Sequence, residues 1–129
     1  MVTIIFESHS TTTDNEKRLG SGWNDVALSE VGISQAKDLG NRRGNENFDA
    51  IFCSDLQRSY QTAEIAFNSK FPIIKDSRLR ECHYGELAGC SEDIVQKEKP
   101  NRISVPFPKG ESYENIAARM KDFLKELLR

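Results

Sequence analysis

Two short apolar runs, residues 3–7 and residues 50–53, constrain the fold of this chain more than any other feature. Neither run alternates apolar with polar residues, as a strand with one face in water would do. Strands that are apolar throughout are typical of parallel sheets with helices on both faces. Each run is therefore predicted to be a buried strand of a parallel sheet.

The segment between these runs has the pattern of a helix. It opens at Leu28-Ser29-Glu30, where Ser29 is the expected N-cap, and Gly40 or Gly44 lies near its expected end. The apolar residues that recur at helical spacing are Ile33, Ala36 and Leu39. The order strand, helix, strand is typical of an α/β layer architecture with a largely parallel sheet, in which ligands bind beyond the carboxyl ends of the strands.

The rest of the chain extends this pattern. Residues 54–57 (SDLQ) fit a capping box that begins another helix, and residues 72–74 are a weaker candidate for a strand. Residues 78–110 are rich in glycine and proline, which predicts mostly loop with a short helix over residues 91–97. A final helix is predicted from an apolar stripe: Tyr113, Ile116, Ala117, Met120, Phe123, Leu124, Leu127 and Leu128. The whole chain, residues 1–129, is expected to form a single domain.

Composition excludes several classes of function. A net charge of -2 offers no basic surface for nucleic acid. No apolar run approaches the roughly 20 residues of a membrane-spanning helix, and the chain does not open with a signal-peptide pattern, so a cytoplasmic protein is expected. The 3 cysteines, Cys53, Cys82 and Cys90, are odd in number and lack CxxC spacing. This predicts reduced thiols, with neither a disulfide framework nor a structural zinc site.

Three polar residues stand where chemistry is expected. His9 follows the first predicted strand, Arg58 lies on the first turn of the helix after the second strand, and Glu81 lies in a glycine-bounded loop. An arginine there can bind an oxyanion, and a carboxyl group can act as a general acid. Taken singly, each has a commoner explanation: a turn histidine, a surface arginine and a solvated salt bridge. A flavodoxin-like nucleotide binder is disfavoured, because no glycine-rich phosphate loop follows the first strand.

The order of the motifs is more specific than any single residue. The chain has His9, Thr12, Asn15 and Arg18, followed by GWND at residues 22–25, LSEVG at residues 28–32 and QA at residues 35–36. Residues 54–63 read SDLQRSYQTA, residues 79–85 read LRECHYG before Gly89, and residues 110–112 read GES. In this order, and over nearly the whole chain, the motifs resemble the phosphoglycerate mutase-like branch of the histidine phosphatase superfamily.

The resemblance implies a fold and a chemistry. The fold is a phosphoglycerate mutase-like, three-layer αβα arrangement with a mostly parallel sheet. The chemistry is phosphoryl transfer through a phosphohistidine on His9, with Glu81 protonating the leaving oxygen and no metal or other cofactor. The substrate is a small phosphorylated molecule or inorganic phosphate. The implied phosphate or substrate contacts are Arg58, Ser8, Thr12, Asn15 and Tyr84.

Two departures from the family pattern bear on activity. The family places an arginine directly before the nucleophilic histidine, where this chain has Ser8, and a glycine directly after it, where this chain has Ser10. The family's second histidine belongs to a strand after the helix that here ends at Arg129, so the domain is expected to be incomplete at its C-terminal end. Each missing charged hydrogen bond to a phosphate costs about 1.5–3 kcal/mol.

Two function classes therefore stay open. One is a phosphomonoesterase or mutase-like enzyme of low activity, and the other is a catalytically impaired relative that binds a phosphorylated ligand or a protein partner.

Glu7 adds a carboxylate near the site unless strand alternation turns it to the other face. Without the additional strand, an apolar sheet edge and part of the last helix are exposed, which predicts a homodimer through that edge.

Overall fold

The computed structural model describes residues 1–67 and 70–129, which form an α/β fold on a small parallel sheet. Its α-helices are α1 (Thr13–Glu16), α2 (Glu30–Arg43), α3 (Gln57–Phe67), α4 (Glu92–Glu98) and α5 (Tyr113–Leu127). Its strands are β1 (Ile51–Cys53) and β2 (Ile73–Lys75). Short 3-10 helices span Ser77–Leu79, Gly85–Leu87 and Lys99–Arg102. No described helix combines the length and the apolar character that a bilayer crossing requires.

Helices cover both faces of the sheet. β1 and β2 run parallel, with Ile51 opposite Ile73. Because successive side chains of a strand point to opposite faces, Ile51 and Phe52 contact different layers. Phe52 meets Phe123 of α5 edge to face, with ring centroids 5.4 Å apart. Ile51 packs against a cluster from α2 and α3 that contains Leu39, Ala66 and Phe67.

The local sequence signals place most of the helices correctly. α2 has Ser29 as its N-cap, which accepts a hydrogen bond from the Gly32 N–H, and Gly44 as its C-cap. The predicted strand at residues 72–74 is β2, and the predicted short helix is α4. α5 begins after Ser112, in a capping box with Asn115. The four-residue α1 was not predicted; a second capping box, of Thr12 and Asn15, opens it.

The predicted capping box at the start of α3 is wrong. The Ser54 hydroxyl accepts a hydrogen bond from the Leu56 N–H at 3.3 Å, and the Ser54 N–H donates to Oγ of Ser59 at 2.9 Å instead of to the Gln57 side chain. Instead, the Gln57 N–H donates to a carboxylate oxygen of Asp25 at 2.8 Å, and the Gln57 side chain donates to the Asp25 carbonyl oxygen at 2.8 Å. An anion at a helix N-terminus is favourable, so a residue distant in sequence takes the place of the local cap.

The prediction of a first strand at residues 3–7 is also wrong. In the described residues this segment belongs to no sheet, and the sheet has 2 strands. Its apolar side chains are exposed, with Ile4 at 56% and Phe6 at 88%. A strand must pair its backbone N–H and C=O groups with a neighbour, and no backbone hydrogen bond joins residues 3–7 to another described segment. Apolar composition indicates a preference for strand but does not supply that neighbour.

Candidate active site

A cleft of about 140 Å³ gathers residues from four distant parts of the sequence. Every predicted site residue except Ser8 lines it: His9, Thr12, Asn15, Arg58, Glu81 and Tyr84. Ser8 lines a second cavity of about 300 Å³ beside α2, and His9 borders both spaces. Glu7 also lines the second cavity, where Arg42 and Arg43 bind its carboxylate at 3.4 and 3.0 Å. Its charge is therefore directed away from the cleft.

The imidazole of His9 is oriented by its own loop. Nδ1 lies 2.6 Å from the Ser10 carbonyl oxygen. Because a carbonyl oxygen can only accept, Nδ1 carries the hydrogen and Nε2 keeps the lone pair. The side chain remains accessible to solvent, yet desolvation by the surrounding protein atoms lowers the pKa of His9, and the positive charge of Arg58 lowers it further. The ring is thus mostly neutral at pH 7.

The loop that carries His9 is attached to α3. The Ser10 N–H donates to Oγ1 of Thr62 at 3.1 Å, and that hydroxyl donates in turn to the Arg58 carbonyl oxygen at 2.7 Å. Ser10 and Thr62 are both buried. One turn of α3 therefore supports the neighbour of His9 and also carries Arg58.

Arg58 is 5% exposed, and its guanidinium group donates hydrogen bonds to the backbone of the GWND segment (residues 22–25). Nη1 donates to the Asn24 carbonyl oxygen at 3.1 Å, and Nη2 donates to the Gly22 carbonyl oxygen at 2.6 Å. Burial lowers the pKa of Arg58, while the nearby charge of Glu81 opposes that shift. A guanidinium group has five N–H donors, so donors remain for an oxyanion in the cleft.

The GWND segment also supports the acid loop, residues 78–85. Trp23 stacks on His83 with ring centroids 4.2 Å apart, and its Nε1 donates to the Glu81 carbonyl oxygen at 2.8 Å. Gly22 has φ 55° and a side chain there would lie 3.1 Å from the Tyr84 ring. Glycine is the residue that accepts this backbone conformation without strain.

α5 supports the acid loop from the other side. Arg119 donates to the carbonyl oxygens of Arg78 and Glu81, and it forms a salt bridge with Glu111 at 3.1 Å. Glu111 also accepts the His83 N–H at 3.0 Å. The backbone of the loop is therefore fixed, while the carboxylate of Glu81 is exposed and accepts the Cys82 N–H at 2.7 Å.

Among the cleft residues that were not identified from the sequence, three polar ones come from the region of α4: Glu92, Gln96 and Lys99. They lie on one face of α4 and at its C-cap, and the buried Val95 is beside them. Their spacing of three and four residues is that of a helical face. That spacing is the signal in the sequence that could have identified them, because it places the three residues on one side of the helix predicted over residues 91–97.

The cleft combines both signs of charge. Arg58 and Lys99 supply cations, whereas Glu81 and Glu92 supply carboxylates. Across residues 1–67 and 70–129, no cluster of three or more His, Cys, Asp or Glu side chains could hold a metal ion. The described cysteines are free, and burial raises the pKa of Cys53 and Cys82 to about 11. Such thiols are weak nucleophiles at neutral pH.

Comparison with known proteins identifies relatives for nearly the whole chain. Residues 4–129 match the sequence profile of the histidine phosphatase superfamily (branch 1). The chain is 31% identical over 140 residues to the 2,3-bisphosphoglycerate-dependent phosphoglycerate mutase of Nitrobacter hamburgensis, covering 97% of this chain and 68% of the relative. It is 39% identical over 131 residues to the fructose-2,6-bisphosphatase TIGAR of Xenopus tropicalis, covering 94% and 48%.

Solved structures agree with these matches. The mycobacterial glucosyl-3-phosphoglycerate phosphatase complexed with VO3 superposes with a TM-score of 0.79 at 30% sequence identity, covering 93% of this chain and 64% of that one. The chain thus spans from just under half to about two thirds of the length of these relatives.

Proposed function

Because the chain belongs to branch 1 of the histidine phosphatase superfamily, we propose that its cleft hydrolyses or transfers phosphoryl groups of phosphomonoesters through a phosphohistidine on His9. The observation that carries this proposal is the joint placement of His9, Arg58 and Glu81 around one small cleft. The names of the relatives, a mutase and two phosphatases, describe chemistry at a phosphate group.

The proposed first step uses the lone pair on Nε2 of His9. Nε2 attacks phosphorus and forms an N–P bond, the bond from phosphorus to the leaving oxygen breaks, and the protonated carboxyl group of Glu81 gives that oxygen a proton. In the second step water attacks the phosphohistidine and transfers a proton to Glu81, and the N–P bond breaks to release phosphate. An alcohol that replaced water would give mutase-like transfer.

Four other residues are proposed to hold the phosphate or substrate. Arg58 carries the positive charge that favours the oxygens of the transferred group. Oδ1 of Asn15 accepts the Thr12 N–H at 2.9 Å, so the amide NH₂ of Asn15 is the part that faces a ligand. Thr12 is fully buried and its hydroxyl accepts the Asn15 N–H at 2.9 Å, so its proposed contribution is to orient Asn15 toward the ligand. Burial raises the pKa of Tyr84, so its hydroxyl stays protonated as a donor.

Ser8 favours the second candidate, a catalytically impaired relative that binds a phosphorylated ligand or a partner. Ser8 remains a proposed phosphate contact, but it lines the cavity beside α2 and its hydroxyl carries no charge. The charged donors to a transferred phosphate are then few, which favours weak binding and a low rate. We expect hydrolysis to be slow or absent under conditions in which phosphate still binds.

Two measurements on the same preparations test these proposals: titration with inorganic phosphate, and hydrolysis of an aryl phosphate. Arg58→Ala should lower phosphate affinity at least about tenfold, whereas the control Lys37→Ala, which removes an exposed charge from α2, should not. Circular dichroism verifies that each variant is folded. Full affinity in a folded Arg58→Ala variant would contradict the assignment.

The aryl phosphate assay separates the two candidates. Turnover above the His9→Ala background supports the enzyme, and phosphate binding without turnover supports the binding relative. Ser8→Arg should strengthen phosphate binding if residue 8 borders the phosphate. Unchanged affinity in Ser8→Arg would remove Ser8 from the proposed contacts.

We also propose a second copy of this chain as a partner. Residues 2–6 are uncharged, exposed and rich in β-branched side chains. Two identical segments can pair antiparallel around a twofold axis, so that each supplies the neighbouring strand that the other lacks.

The described cysteines are free thiols, which supports a reducing compartment such as the cytoplasm.

A further inference from the structure

The wall of the cleft formed by α4 carries charges that the proposed phosphoryl transfer does not use. Glu92, Gln96 and Lys99 line the cleft there, while Arg58 and Glu81 are the charged groups that act on the pKa of His9. The α4 wall is thus placed to contact the organic part of a substrate, since Arg58 and Glu81 serve the transferred group.

Neither charge on this wall forms a salt bridge within the described residues. Their neighbour Glu98, by contrast, is bound by Arg102 at 2.9 Å. Lys99 is partly buried, with its Nζ 6.0 Å from the centroid of the Tyr84 ring. A charged group at a concave surface without an internal counter-ion attracts a ligand group of opposite charge.

The signs on the wall restrict the ligand. A second phosphate would gain Lys99 but face the carboxylate of Glu92, whereas a group with both charges would be matched by both residues. Glu92 and Lys99 are about 10 Å apart along a helix axis, a span that the flexible lysine stem shortens. The amide of Gln96, between them, can donate to a carboxylate or accept from an ammonium group.

We infer that the cleft selects a small phosphomonoester whose alcohol carries both an ammonium and a carboxylate group. Glu92 faces the ammonium group, Lys99 faces the carboxylate, and Gln96 bridges them. The inference rests on the proposed function, because it assigns the organic half of the same substrate.

Equilibrium binding tests this without requiring turnover. O-phosphoserine carries both charges, 3-phosphoglycerate replaces the ammonium group by a hydroxyl, and phosphoethanolamine lacks the carboxylate. Calorimetric titration of the wild-type chain should show O-phosphoserine binding roughly three- to tenfold more tightly than either of the other ligands, the range expected for one partly solvated charged contact.

Substitutions assign each preference to one residue. Glu92→Gln should remove the advantage over 3-phosphoglycerate and keep the advantage over phosphoethanolamine, and Lys99→Gln should do the reverse. Asp93→Asn and Lys97→Gln are matched controls, because both positions are exposed on α4 and do not line the cleft. Both controls should retain the wild-type order of affinities.

Inorganic phosphate separates failure of this inference from failure of the proposed function. If phosphate binding depends on Arg58 while the three esters bind equally, or while their order is unaffected by Glu92→Gln and Lys99→Gln, the inference is overturned and the proposed function stands. If neither phosphate nor any ester binds the folded chain, both are overturned. Tighter binding of 3-phosphoglycerate than of O-phosphoserine would also overturn the inference.

Discussion

The acid loop and the segment before His9 differ in how firmly the rest of the protein fixes their backbones. The acid loop has little regular structure, yet Trp23, Glu111 and Arg119 bind its backbone from two sides. Residues 2–8 have a strand-like composition, yet in the described structure they are exposed and their backbone pairs with no strand. Polar side chains that satisfy backbone groups thus fix a loop more firmly than apolar composition fixes a strand without a neighbour.

This difference divides the proposed site into a rigid part and a weakly supported part. Arg58 and the backbone of Glu81 belong to the rigid part, because several elements hold each of them. His9 depends on the hydrogen bond from Ser10 to Thr62 and on its own contact with the Ser10 carbonyl oxygen. The following changes test this division, in order of decreasing expected effect.

Arg119→Ala should convert the rigid part into a mobile one. The change removes the salt bridge to Glu111 and leaves the carbonyl oxygens of Arg78 and Glu81 without this donor, at a cost of about 2–4 kcal/mol in the free energy of unfolding. Urea denaturation measures that cost, and hydrogen exchange should accelerate in residues 78–85. Lys121→Ala, at an exposed position of the same helix, is the control. Equal stability of the two variants would contradict the proposed role of Arg119.

Thr62→Val should weaken the support of His9 with little change in side-chain shape. The buried Ser10 N–H loses its acceptor, which costs about 1–3 kcal/mol, and the orientation of the imidazole becomes less defined. The expected result is a larger fall in aryl phosphate turnover than in phosphate affinity, because Arg58 is unchanged. A variant that loses affinity and keeps the turnover number would show that Thr62 acts on Arg58 instead.

The pH dependence of stability should reveal the environment of His9. Its pKa in the folded chain lies below the ordinary 6.5, so between those two values the unfolded chain binds more protons. The contribution of neutral His9 to the free energy of unfolding is therefore fully present above about pH 6.5, and it is lost as the pH falls through that window. The wild type should lose more stability than His9→Gln between about pH 7.5 and about pH 5.5. Parallel curves would place His9 in an unperturbed environment.

Phe6→Ser should have the smallest effect on folding. Phe6 is 88% exposed, so the free energy of unfolding should change by no more than about 0.5 kcal/mol. Light scattering across a concentration series should nevertheless show weaker self-association than in the wild type. Ile103→Ser removes a 57% exposed apolar side chain outside the segment and should leave association unchanged. A wild-type chain that stays monomeric at every concentration would exclude the homodimer.

The sequence was sufficient where the determining contacts are local. α2 begins after Ser29 and ends before Gly44, one of the two glycines expected near its end, because a cap interacts with residues a few positions away. The apolar stripe of α5 predicted the helix itself, although only Phe123 of that stripe is buried among the described residues. The motif at residues 54–63 likewise predicted a helix with Arg58 on its first turn, and Arg58 lines the cleft.

The errors concern contacts between distant segments. Asp25 caps α3 from 32 positions away, which no local pattern at Gln57 can reveal. The strand expected at residues 3–7 required a neighbour that composition does not specify. The face that α4 presents to the cleft depends on how the helix packs around the buried Val95, so the local sequence does not show that Glu92 and Lys99 line the cleft.

The shared turn of α3 has a consequence for how this site tolerates change. Thr62 supports the loop of His9 and Arg58 provides the main cation, and the Thr62 hydroxyl links directly to the Arg58 carbonyl oxygen at 2.7 Å. A rigid displacement of α3 carries both residues together and preserves the distance between attacking nitrogen and anion site. Substitutions that shift the whole helix should therefore be accepted more readily during divergence than substitutions that alter the helical geometry within this one turn.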